Sequence, residues 1–194
     1  RPQAHDIIRT WLFSTLLRAE YEQGSLPWKN AAISGWVLDP DRKKMSKSKG
    51  NVVTPLALLE EHGSDGVRYW AASGRPGADT AFDSGQMKVG RKLAIKLLNA
   101  SKFVLAPLDK ARGDREALER SKPGARGAVT SVVDRGLLTQ LARLVRESTE
   151  DLERYQYTRV LERTETFFWF FCDIYLELVK SRRYGDHGEA LAGS

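Results

Sequence analysis

The sequence predicts a mainly α-helical chain: an antiparallel helical bundle preceded by the carboxyl-terminal end of an α/β domain. Three observations carry this reading. From Met87 onward, apolar residues return at helical spacing, as Leu93, Leu97, Ala100 and Val104 and again as Val133, Leu137, Leu141, Leu144, Ser148 and Leu152. Before them a single strand-like run, Ala32 to Leu38, follows an amphipathic helix, the order given by the last unit of a parallel sheet. Between the two helical stretches, 109–127 is charged and broken by Gly113, Pro123, Gly124 and Gly127, as a solvated connector would be. The expected division is 1–83 for the α/β remnant and 84–194 for the bundle.

Composition narrows the class. Of 194 residues, 41% are hydrophobic and 29% charged, enough apolar material for a core under a polar surface. The net charge of +6 favours polyanionic partners. Cys172 is the only cysteine, which excludes an intrachain disulfide and a cysteine-built zinc site and suits a reducing cytoplasm. His5, His62 and His187 are scattered, so no metal site is expected, and each reads as a surface or cap residue. No apolar run is long enough to span a bilayer. The chain opens on Arg1 without a methionine and enters a helical pattern almost at once, as a piece of a longer protein would.

The elements follow in order. Asp6 to Tyr21 carries Ile8, Leu12 and Leu16 at four-residue spacing, widened by Ile7 and Trp11, and stops at Gly24 and Pro27. Ala32 to Leu38 reads as a buried strand, and Asp39-Pro40-Asp41 turns the chain. Thr54 is placed to cap a helix with Pro55 at its first position, ending near Gly63. Ser64 opens a second short helix, and Gly74 to Gly77 breaks it. Asp79 to Phe82 fits a short edge strand, and Asp83 a cap for the helix that Pro107 should end. Ser131 and Asp134 have capping-box spacing, with Asp in place of Glu. A last helix runs from about Thr158 to Tyr184, with Leu161, Thr164, Phe168, Phe171, Tyr175 and Val179 in one stripe. Within it Cys172 is expected as a buried thiol, and the Phe167 to Phe171 cluster as packing. Arg182 and Arg183 oppose the helix dipole.

The chemistry concentrates in Lys43 to Asn51, where four lysines fall within seven positions among hydroxyl residues, closed by Gly50-Asn51. Like charges so close repel unless water or a polyanion separates them. An apolar strand feeding such a loop, with a helix start behind it, is a candidate phosphate site in which backbone N–H, hydroxyl and ammonium groups converge.

The pentapeptide Lys44-Met45-Ser46-Lys47-Ser48 resembles the second signature of class I aminoacyl-tRNA synthetases. Ile33 to Asp39 leading into Lys44 to Asn51 is similar to the valine, isoleucine and leucine subgroup. Gly77 to Asp83, Lys96 to Phe103 and Phe171 to Glu177 are similar to its valyl branch. The resemblance covers nearly all of the chain except the connector. It implies an α/β remnant of a class I Rossmann catalytic domain followed by an anticodon-binding bundle. It also implies ligase activity: valine is activated with ATP, with Mg2+ in the full enzyme, and transferred to tRNA(Val) by a monomer.

The resemblance assigns residues too. Lys47 would meet ATP and the departing pyrophosphate, Lys44 would assist as a second catalytic lysine, and Met45 and Ser46 would border the nucleotide. Asp6, five residues before Trp11, would approach the ribose, and Trp11 would wall the amino-acid pocket. Read without the resemblance, Asp6 is a helix cap and Trp11 is core. On the bundle, Asn99, Lys102 and Phe103, with Arg91 two turns earlier, form a candidate tRNA anticodon contact, since RNA loops are read by aromatic and arginine stacking. Nothing resembles the family's first signature or an editing domain. An apolar valine pocket rejects threonine only about a hundredfold, so editing is needed elsewhere. The chain alone is therefore expected to be inactive. The alternatives are a non-catalytic tRNA-binding module and the equivalent piece of an isoleucyl enzyme.

Overall fold

A computed structural model describes residues 3–110, 129 and 131–184. The connector at 109–127, apart from the helical backbone of 109–110, lies outside them, as do His187 and the glycines at 185 and 188. The chain forms two compact units, 1–92 with 152–158, and 93–151 with 159–194.

In the first unit, a 3-10 turn His5–Ile7 and a π-type turn Ile8–Leu12 lead into helix α1, Phe13–Gln23. Gly24 ends it in the left-handed conformation (φ 63°), a backbone state that glycine adopts without a Cβ penalty. The strand expected over 32–38 is regular only at β1, Val37–Leu38, and Val37 is exposed rather than buried. Its partner is β2, Thr80–Ala81, paired in parallel with Val37 opposite Thr80 and Leu38 opposite Ala81. Hydrogen bonds continue beyond the strands, from Gly77 N to Ile33 O at 2.9 Å and from Ser34 N to Gln3 O at 3.1 Å. Three chain segments thus run side by side. Gly35 permits this: a Cβ there would fall 2.0 Å from the Ala78 carbonyl oxygen.

Helix α2, Pro55–Ser73, starts with proline in its first turn, but Thr54 makes no side-chain cap. The break read at Gly63 is present as a kink (φ 74°, ψ 164°). His62, expected at the surface, is 2% exposed, because α2 turns it inward beside Gly66. Helix α3, Ser84–Lys110, is capped by Asp83, whose carboxylate accepts from Gln86 N at 3.1 Å. It continues through Pro107, where termination was expected; a proline removes one backbone donor, and the helical backbone persists three residues further. Gly66 and Gly90 let α2 and α3 approach: a Cβ on Gly90 would lie 2.3 Å from Tyr69 Cβ.

The second unit holds the later part of α3, most of α4, Val132–Glu153, and most of α5, Tyr157–Phe170. A π-type turn Phe171–Tyr175 joins α5 to α6, Leu176–Tyr184. Pairing fixes an antiparallel course: Asp134 near the start of α4 meets Arg182 in α6, and Asp151 near its end meets Arg163 in α5. The apolar faces are incompletely covered, with Leu97, Val104, Val133, Leu141 and Leu152 exposed and Thr164 exposed on the last stripe. Cys172 is buried, and burial pushes its thiol pKa up. Arg182, read as opposing the helix dipole, also binds Asp134 and Ser131.

Candidate functional site

The lysine loop is built from its root. Asp39, 6% exposed, ends β1 and accepts from Lys43 N through Oδ1 and from Asn51 Nδ2 through Oδ2, both at 2.7 Å. Those two donors, in that order, hold its carboxyl below the usual range. The chain turns at Arg42, with φ 60°, and Lys44 bridges back onto Leu38. Asn51 closes the other end. Its Oδ1 accepts from Ser46 N at 2.9 Å, and its Nδ2 also reaches Lys44 O at 3.3 Å.

The tip is a single 3-10 turn, Lys47–Lys49. Ser46 stands before it, with Oγ 3.3 Å from Lys49 N and 3.1 Å from Ser48 Oγ, so both hydroxyls are engaged locally. Gly50 (φ 68°) reverses the chain behind it. Lys47 and Lys49 are exposed, whereas Met45 and Ser46 are half-buried.

Lys44 points toward the start of the chain. Its Nζ lies 3.8 Å from the Trp36 ring centroid and 3.8 Å from Asp6 Oδ2. Trp36 is flanked by His5, with ring centroids 4.4 Å apart. Asp6 occupies the first 3-10 turn without a side-chain cap bond, so its contact is with the lysine loop. The segment hydrogen-bonded beside Ser34 delivers it there.

Trp11 is 39% exposed and stacks on Trp28, with centroids 5.9 Å apart and planes at 11°. A cavity of about 400 Å³ opens beside it, lined by Ile7, Leu12, Trp28 and Ile33 with Gln3 and Asn30 at its polar side. Trp11 sits in the π-type turn, and Thr15 Oγ1 donates to its carbonyl at 2.7 Å, supplying a donor where the ladder widens. Trp11 is therefore a pocket wall rather than core.

The bundle candidates are less united. Asn99 and Lys102 are exposed and Phe103 is half-buried, all within about one turn of α3. Arg91 lies in the other unit and donates through Nη1 to the Glu61 carbonyl. Sequence reasoning missed three residues: Trp36 as the seat of Lys44, and the Asp39–Asn51 pair as the loop's clasp. The alternation of Trp36, Val37 and Leu38 was the available signal for the first, since it puts Trp36 on the face of Leu38, against which Lys44 returns.

Residues 3–83 match the family of class I tRNA synthetases (I, L, M and V), and residues 134–192 match the anticodon-binding domain of tRNA ligases. The chain is 62% identical to a valine–tRNA ligase of Salinispora arenicola, over 96% of this chain and 21% of that protein. It is 60% identical to one of Thermobifida fusca, over 95% and 20%. A ternary complex of an Agrobacterium radiobacter K84 LeuRS with tRNA and LeuAMS shares the fold, with TM-score 0.63 and 21% identity over 83% of this chain and 20% of that one. The chain spans about a fifth of the length of these relatives. On these grounds the chain belongs to the class I aminoacyl-tRNA synthetases, as a segment of the valine–tRNA ligase family.

Proposed function

We propose that this segment supplies the ATP-activating lysine loop of a ligase that charges tRNA(Val) with valine, and that its helical unit contacts the anticodon arm. The domain division follows: the part ending near Asp83 serves activation, and the bundle beyond it serves tRNA. The observation that carries the reading is the meeting of Asp6 and Lys44, with the Lys47 turn projecting from the same loop. A carboxylate for ribose hydroxyls and ammonium groups for phosphates are what ATP requires side by side.

In activation the valine carboxylate attacks the α-phosphate and pyrophosphate leaves. Negative charge grows on the leaving group, and Lys47, exposed on a turn closed by Gly50, stabilises it. Lys44 balances charge nearer the ribose side, drawing on Trp36 and Asp6 between turnovers. The cavity at Trp11 receives the apolar side chain. Among the described residues no three His, Cys, Asp or Glu side chains cluster to hold a metal ion. Mg2+ would be held largely by the ATP phosphates and water, with at most one or two carboxylates. Identity of 51–62% to valine–tRNA ligases favours valine over isoleucine.

Single-turnover adenylate formation tests the reading in the full-length ligase carrying this segment. Lys47→Ala should abolish the rapid phase, and an unaltered rapid phase would remove Lys47 from the chemistry. For the helical unit, the chain should bind an anticodon stem-loop with affinity that falls as salt rises. Absence of salt-dependent binding would dismiss that contact.

A further inference from the structure

The lysine loop is anchored by a two-residue clasp, and resting on the activation reading above, we infer that Asp39 and Asn51 are positioning residues for Lys47. The two side chains lie twelve positions apart at opposite ends of the loop and meet at 2.7 Å. Asp39 acts only as an acceptor here: one oxygen takes the Lys43 N–H and the other takes the Asn51 amide. Asn51 is used at both ends of its amide, donating to Asp39 and Lys44 O while accepting from Ser46 N. Ser46 is in turn the residue that caps the Lys47–Lys49 turn. A continuous chain of hydrogen bonds therefore runs from the buried carboxylate at the strand end to the turn that carries Lys47.

Donor and acceptor counting makes the pair specific. An amide at position 39 cannot accept at both ends, so one of its faces must set an N–H against the Lys43 N–H or the Asn51 amide. A carboxylate at position 51 sets two negative groups against each other. Exchanging the two side chains restores the match: the amide at 39 accepts from Lys43 N and donates to the carboxylate at 51, which still accepts from Ser46 N. The longer contact to Lys44 O is lost, and an acceptor faces that carbonyl instead, so recovery should be incomplete. The clasp holds Lys43, Lys44 and Ser46 at the strand end and presents the Lys47–Lys49 turn beyond them.

The test uses the full-length ligase carrying this segment, with Asp39→Asn, Asn51→Asp, the double exchange and Lys47→Ala compared in valine-dependent ATP–pyrophosphate exchange. Each single exchange should lower kcat by about a hundredfold, as misplacement of a reacting group by about 1 Å does. The KM for ATP, the melting temperature and tRNA affinity should change little, and the double exchange should recover most of kcat. If Lys47→Ala slows exchange while both single exchanges leave kcat unchanged, the clasp has no positioning role and the activation reading stands. Unchanged exchange in Lys47→Ala overturns both. A single exchange that lowers melting temperature and tRNA affinity together with kcat marks the pair as merely structural and overturns the inference.

Discussion

Arg182 grips Asp134 at two points, with Nη1 2.7 Å from Oδ2 and 3.0 Å from Oδ1, while its Nη2 reaches Ser131 Oγ at 3.1 Å. Tyr175 donates to the same carboxylate at 3.0 Å. The Asp134 side chain is only 11% exposed, so its charge depends on these partners. Arg182→Ala leaves a buried carboxylate without its cation and should destabilise the helical unit by about 3 kcal/mol. Urea denaturation followed by helical circular dichroism measures this, and Asp134→Asn should cost less because the cation it leaves unpaired, Arg182, is the more exposed partner and can be hydrated.

Tyr175 gives the same cluster a pH signature. Burial, then the bond to Asp134, raises its pKa above the ordinary value near 10. The stability tied to the neutral phenol is fully present below that unfolded value and is lost as pH rises through the higher folded one. Denaturation midpoints should fall more steeply above pH 10 in the native chain than in Tyr175→Phe.

The acid side belongs to Asp39. Its pKa lies below the ordinary 3.8, because the Lys43 N–H and the Asn51 amide favour the carboxylate, with the Lys43 charge adding to them. Order that depends on the ionised form is present above about 3.8 and is lost as pH falls through the lower folded value. The amide resonances of Lys43 and Ser46 should hold their positions down to about pH 4 and shift together below it. Asp39→Asn should remove that inflection.

Glycines separate close approach from mere helix weakening. A methyl at Gly35 meets backbone 2.0 Å away, and one at Gly90 meets Tyr69 at 2.3 Å. Either alanine should destabilise the first unit by about 3 kcal/mol, the upper range for overpacking. Gly136 lies exposed inside α4 with nothing within 4 Å of its built Cβ. Gly136→Ala should therefore stabilise by about 0.5–1 kcal/mol. Thermal melts of the three variants check both signs.

These relationships also show where the sequence stopped being legible. Helical periodicity located the long helices among the described residues, because a 3.6-residue pattern is local, and Gly24, Gly63 and Asp83 marked ends and breaks where the structure has them. Strand length was overread: 32–38 is apolar enough for a strand, but regular pairing depends on Thr80 and Ala81, more than forty residues away. The lysine loop was legible as a motif, yet its clasp was not. Asp39 looked like a turn residue and Asn51 like the end of a signature, and only folding brings them together. The Arg182 partner was hidden for the same reason, since Asp134 is forty-eight positions distant.

Adenylate chemistry at the lysine loop is measured most directly by steady-state valine-dependent ATP–pyrophosphate exchange. In the full-length ligase carrying this segment, Lys47→Ala should lower kcat by about 100- to 1000-fold, as loss of one transition-state donor does, with tRNA affinity within about twofold of the parent. An exchange rate equal to the parent's would contradict it.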